Sequence, residues 1–117
     1  MFSKDEKFQL VDVHNKFRAK VAQGKESRGS PGPQPPASDM MEMTWDEELA
    51  AIAQRWADQC RFGHDENRNV ARFRVGQNVY QSFGSPGVAN SQMIVGGLDG
   101  WYGEVDMFPS NGVGSFG

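Results

Sequence analysis

Met43–Cys60 reads MTWDEELAAIAQRWADQC. Leu49, Ile52, Ala53, Trp56 and Cys60 recur at the three- and four-residue steps that line one face of a helix. The stretch therefore predicts an amphipathic helix over 45–60, opened by a capping box of Thr44 and Glu47. Asp46, Glu47 and Glu48 crowd its first turn. Carboxylates there suit the positive end of the helix dipole, so their place is structural rather than catalytic.

Upstream, Ser3 and Glu6 form another capping box, and Leu10, Val13, Phe17 and Val21 follow at helical spacing. This predicts a helix from Lys4 to Gln23, stopped by Gly24. His14 falls on its apolar face and reads as a core histidine satisfied by a hydrogen bond. GKESRGSPGPQPPASD (Gly24–Asp39) joins the two helices, and its four prolines and three glycines predict a surface loop.

Downstream, RFGHDENRNVARF (Arg61–Phe73) is polar and irregular. The β-branched and aromatic content of RVGQNVYQSF (Arg74–Phe83) predicts one strand, around 75–83. Met93, Ile94, Leu98, Trp101 and Val105 share a helical face that Gly96, Gly97, Gly100 and Gly103 weaken, and the helix is expected to be better formed from Leu98 to Val105. A lone strand has no ladder partner, so the pattern implies more sheet than these elements supply.

The chain has 117 residues, 38% of them hydrophobic, which suits one domain with a core. A net charge of −3 with interspersed signs leaves no footprint for nucleic acid. No apolar run is long enough for a transmembrane segment. Cys60 is the only cysteine, and it stands four residues before one of the two histidines, His64. That pair leaves open a metal or catalytic corner on one side and a plain helix end on the other. Cys60, placed on the apolar helix face, reads as a buried and inert thiol.

VHNKFR (Val13–Arg18), GPQPPA (Gly32–Ala37), MTWDEELAAIAQRWADQC, GHD (Gly63–Asp65) and VGQNV (Val75–Val79) follow one another in the order and spacing of the CAP superfamily. That superfamily comprises cysteine-rich secretory proteins, antigen 5 allergens and plant pathogenesis-related proteins. The loop ESRGSPGPQPP (Glu26–Pro36) most resembles the antigen 5 branch of arthropod venom and saliva. The resemblance runs from about Lys4 to Val105.

It implies an α+β fold, the α-β-α sandwich of the CAP type, with residues 1–117 as a partial domain incomplete at the C-terminal strands. Those strands follow a G-H-[YF]-[TS]-Q segment that would begin beyond Gly117. It also implies a cavity with two histidines and two acids. His64 matches the first histidine and Glu104 one acid, so the two should approach each other; Gln77 holds the second acid's position without its charge. His14, Asn15 and Arg18 match a structural motif, and Cys60 a half-cystine whose partner lies upstream. Zinc at His64 and Glu104 would be weak in this chain. Grooves for a lipid or sterol would draw on Phe83, Met93, Ile94, Leu98 and Trp101. The implied protein is secreted and extracellular, a non-enzymatic venom or salivary allergen meeting host proteins or antibodies. The alternative is a weak metal-assisted hydrolase.

Overall fold

The computed structural model describes residues 2–81 and 90–113. Helix α1 spans Lys4–Ala22, α2 spans Glu47–Ala57 and α3 spans Asn90–Gly103. Short 3₁₀ turns follow at Glu104–Met107 and Ser110–Gly112.

The first helix begins and ends on local chemistry. Ser3 N–H donates to Glu6 Oε1 at 2.7 Å, and Glu6 N–H returns to Ser3 Oγ at 3.1 Å, completing the expected capping box. At the far end Gly24 adopts φ +74°. Its N–H donates to Val21 O and that of Lys25 to Lys20 O, each at 3.0 Å. This pair of bonds satisfies two of the last carbonyls of the helix, and Ala37 N–H donates to Ala22 O at 3.1 Å.

The second helix starts two residues later than the sequence suggests. Asp46, not Thr44, is its N-cap: Asp46 Oδ1 accepts Leu49 N–H at 3.0 Å. Asp46 Oδ2 accepts Arg72 Nη2 at 2.8 Å, and these bonds hold the Asp46 carboxyl below the usual carboxylate range, the arginine contributing most. The helix stops at Ala57, and Cys60 turns the chain with φ +54°. Cys60 is therefore outside the helix and exposed, correcting its reading as a buried thiol.

Helices α1 and α3 pack side by side and run the same way. Gln9 Nε2 donates to Ser91 O at 3.4 Å near one end, and Phe17 stacks on Tyr102 at 3.9 Å and 8° near the other. Ile94 and Leu98 are the buried apolar side chains among the described residues. Among those residues α2 packs on neither other helix. It is tied in by the Lys7–Glu47 ion pair at 3.2 Å and by Trp56 Nε1–H donating to Gly63 O at 2.9 Å. Its apolar stripe of Leu49, Ile52 and Trp56 stays half-exposed.

No strand forms among the described residues, so the sheet of the expected sandwich is not seen there. Over its described part, 75–81, the segment expected as a strand forms no ladder, and side chains take three of its backbone groups. Val75 N–H donates to Asn69 Oδ1 at 2.8 Å, Arg68 Nε–H to Val75 O at 2.8 Å, and Trp101 Nε1–H to Val79 O at 3.1 Å. Tyr80 lies over the glycines of α3: a Cβ on Gly97 would stand 3.2 Å from Tyr80 Cδ1, and one on Gly100 3.4 Å from Cε2. These glycines, read as helix weaknesses, give the Tyr80 ring its seat. The α3 helix accordingly forms from Asn90, well before Leu98, and gives way to the 3₁₀ turn at Glu104.

Candidate functional site

The VHNKFR motif holds the segment that leads into α2. Asn15 grips Met43 twice, Met43 N–H donating to Asn15 Oδ1 at 2.7 Å and Asn15 Nδ2 to Met43 O at 3.0 Å. One turn on, Arg18 Nε–H donates to Met41 O at 2.9 Å. His14 Nδ1 bonds Leu10 O at 2.7 Å; a carbonyl only accepts, so Nδ1 carries the proton. The half-buried His14 is thus satisfied as its apolar-face position implied, and all three motif residues have structural partners.

Between α1, this clamped segment and α3 lies a cavity of about 260 Å³. Phe17, Val21, Met40, Met43, Leu98 and Trp101 give it apolar walls; His14, Arg18, Asn78 and Tyr102 add polar groups. Of the five lipid-site candidates, Leu98 and Trp101 line it. Ile94 is buried in the α3 core at 8% exposure, and Met93 is 41% exposed on the surface. Neither borders the cavity: Ile94 shares the face of Leu98 but sits one turn earlier, about 6 Å along α3, and Met93 lies further round the helix. Phe83 lies outside the described residues. Phe17 and Val21 were legible as an apolar helical face; Met40 and Met43, in a segment without periodicity, carried no such signal.

His64 sits in a second arrangement. Gln77 Oε1 accepts Asp65 N–H at 2.9 Å and meets His64 Nδ1 at 3.1 Å. An oxygen that accepts from the backbone is no donor, so His64 Nδ1 carries a proton in this contact. Asp65, 5% exposed, accepts Asn67 N–H at 2.9 Å. Arg68 Nη1 donates to Asp65 O at 2.9 Å, which shapes the rest of the loop. His64 itself is exposed. Glu104, also exposed, starts the 3₁₀ turn, and no hydrogen bond or ion pair joins it to His64 among the described residues. His64 is paired instead with Gln77, the amide that holds the second acid's position.

Zinc needs three or four nitrogen, sulfur or oxygen donors. Among the described residues no three His, Cys, Asp or Glu side chains gather closely enough to hold a metal ion. Gln77 Oε1 is already taken by two N–H groups. The residues present do not fit a closed zinc site.

The proline loop holds a cluster that the sequence reading missed. Glu26 is 1% exposed and Gln34 6% exposed, in what was expected to be a surface loop. Glu26 Oε1 accepts Arg28 N–H and Nε–H, each at 3.0 Å; Oε2 accepts Tyr102 O–H at 2.6 Å and pairs with Lys20 Nζ at 3.3 Å. Those bonds, Arg28's first and Tyr102's next, hold the Glu26 carboxyl far below the usual carboxylate range. Burial and then the Glu26 bond push Tyr102 up to about 12. Gln34 Nε2 donates to Arg28 O and Phe108 O, both at 3.1 Å, stitching the loop to the end of the described chain. Gly29 and Gly32 make the fold-back possible: a Cβ would stand 2.6 Å from Gln34 Nε2 at Gly29 and 2.5 Å from Ser27 O at Gly32.

Comparison with known proteins agrees with the motifs. The model of the CAP, cysteine-rich secretory protein family matches residues 11–112. Venom allergen 3 homolog of Dinoponera quadriceps is 54% identical over 114 residues, covering 95% of this chain and 47% of its own length. Venom allergen 3 of Solenopsis invicta is 50% identical over 117 residues, covering 98% of this chain and 48% of its own. Venom allergen 5 of Dolichovespula arenaria is 63% identical over 75 residues, covering 64% of this chain and 37% of its own. The chain thus spans about half or less of these curated relatives.

Proposed function

The chain belongs to the CAP, cysteine-rich secretory protein family, and from that premise we propose that it is a secreted venom protein of the antigen 5 type that binds an apolar ligand and catalyses no reaction. The names of its relatives support the venom and allergen assignment. Host antibodies are its expected partners in that role. No helix among the described residues is long and apolar enough to cross a membrane.

The observation that carries the binding reading is the 260 Å³ cavity walled by Phe17, Leu98 and Trp101. Small-molecule sites have roughly 300–1,000 Å³. This one is just below that range, so it suits a single hydrocarbon chain better than a fused-ring sterol. His64 and Glu104 enter the proposal only as separate, weak donors for a divalent ion. Calorimetry with zinc should show no tight binding to this chain; tight binding lost in His64→Ala would reverse that view.

The cavity is tested by tryptophan fluorescence during titration with fatty acids, fatty alcohols and a sterol. Trp101 should respond to the single-chain ligands, with Kd in the micromolar range at best, roughly −8 kcal/mol. Trp101→Phe should remove the response and leave the signals of Trp45 and Trp56. A flat titration across the panel, with the chain folded by circular dichroism, would sink the reading.

A further inference from the structure

Residues 39–43 read DMMEM, three methionines within four positions of a segment that belongs to no helix. Three hydrogen bonds tie this stretch to α1: the two between Asn15 and Met43, and Arg18 Nε–H on Met41 O. All three lie in exposed surroundings, where water competes for each partner. Apolar contact therefore has to supply much of the attachment. Met40 and Met43 supply it, sharing the walls of the cavity with Phe17 and Val21 of α1. Met41 does not border the cavity and is 75% exposed, against 36% for Met40 and 38% for Met43. The two fastening side chains are thus partly packed and still open enough for a small oxidant to reach.

A thioether that meets hydrogen peroxide or an organic hydroperoxide gains one oxygen. The sulfur lone pair attacks the outer peroxide oxygen, and the S–O bond forms as the O–O bond breaks. The proton of that oxygen leaves with the other one, as water or an alcohol. Sulfur is oxidised by two electrons and the peroxide reduced by two. The product, methionine sulfoxide, is polar and ill suited to an apolar wall, and methionine sulfoxide reductases return it to the thioether. We propose that Met40 and Met43 form a reversible, peroxide-sensitive fastening. Sulfoxide at these two positions releases residues 39–46 from α1, while sulfoxide at Met41 leaves the segment in place. The Met41 side chain is mostly in water before oxidation and loses little by becoming polar. No occupant of the cavity is needed for this behaviour.

The test treats the 117-residue chain with hydrogen peroxide and follows each methionine by peptide mass spectrometry. Amide hydrogen exchange of residues 39–46 is read on the same samples, since the Met43 N–H bonded to Asn15 Oδ1 reports the fastening directly. Met41 and Met107, at 75% and 76% exposure, should oxidise first and leave exchange unchanged. As Met40 and Met43 follow, exchange should quicken by about tenfold, and treatment with the reductases should slow it again. Met40→Leu combined with Met43→Leu conserves the apolar volume and removes both sulfurs, so exchange in that double variant should stay slow throughout. Where the two phases overlap in time, Met41→Leu separates them and should still quicken as the wild type does. Exchange that stays slow once Met40 and Met43 are fully oxidised overturns the proposal. Quickening that tracks Met41, or that persists in the double variant, overturns it as well. The wild-type time course decides the matter even where the double variant fails to fold.

Discussion

Replacing Glu26 by glutamine keeps the shape of a 1%-exposed side chain and removes its charge. Each carboxylate oxygen now accepts from two donors: the Arg28 backbone N–H and guanidinium Nε–H on Oε1, Tyr102 O–H and Lys20 Nζ on Oε2. An amide offers one accepting oxygen and one NH₂. Whichever way it turns, donors meet donors on one side. Breaking a buried, hydrogen-bonded charge costs roughly 3–5 kcal/mol. Lys20 and Arg28 are 43% and 40% exposed and can turn to water, which favours the low end of that range. The expected loss is therefore about 3 kcal/mol, or about 12 °C in melting temperature for a chain of this size. Thermal and urea unfolding followed by far-ultraviolet circular dichroism would measure it. The pH dependence supplies a second readout. The Glu26 carboxyl is depressed in the folded state from an ordinary value of 4.5, so its stabilisation is present above that pH and is lost as pH falls toward the folded value. The gap between wild type and Glu26→Gln should thus hold down to about pH 5 and narrow steadily as the pH falls below 4.5. A gap under about 1 kcal/mol at neutral pH, or one that stays constant on acidification, would refute the reasoning.

The alkaline side gives the mirror case. Tyr102 is raised from 10.0 to about 12, so its contribution is whole below pH 10.0 and disappears as pH climbs through the folded value. Tyr102→Phe should flatten that limb in a melting-temperature profile and cost roughly 1–2 kcal/mol at neutral pH by leaving Glu26 short of a donor. Gly97→Val should displace the Tyr80 ring, whose Cδ1 would stand 3.2 Å from the new Cβ, and cost roughly 1–2 kcal/mol despite the better helix former. Near-ultraviolet circular dichroism should report the lost Tyr80–Trp101 edge contact, now 6.4 Å between centroids. Asn15→Ala removes both bonds to Met43 and should lower urea stability by about 1–2 kcal/mol. An unchanged midpoint would mean that the 40–43 segment is held by its other contacts.

The sequence by itself determined what depends on a window of a few residues. Ser3 and Glu6 set the start of α1, Gly24 its stop, and the stripe from Leu49 to Trp56 the existence of α2, because caps and i,i+4 spacing act within one or two turns. The motif order also sufficed to point to the family. Even here the window has an edge: the capping pattern pointed to Thr44, and Asp46 became the cap, with Arg72, 26 residues away, on its second oxygen. Only the tertiary structure decided the rest. Glu26 looks like a solvated loop charge until Tyr102, 76 residues on, closes over it. Gly97 looks like a weakness until Tyr80 needs its missing side chain. The 74–81 segment has strand composition, yet a strand is a property of pairs, and here Asn69, Arg68 and Trp101 bond the backbone of Val75 and Val79 where a neighbouring strand would. His64 was recognisable as a cavity candidate, but its partner turned on which of two distant groups came within hydrogen-bond reach, and that was Gln77. Burial and pairing are set by groups far apart in the chain, and no local pattern encodes their meeting.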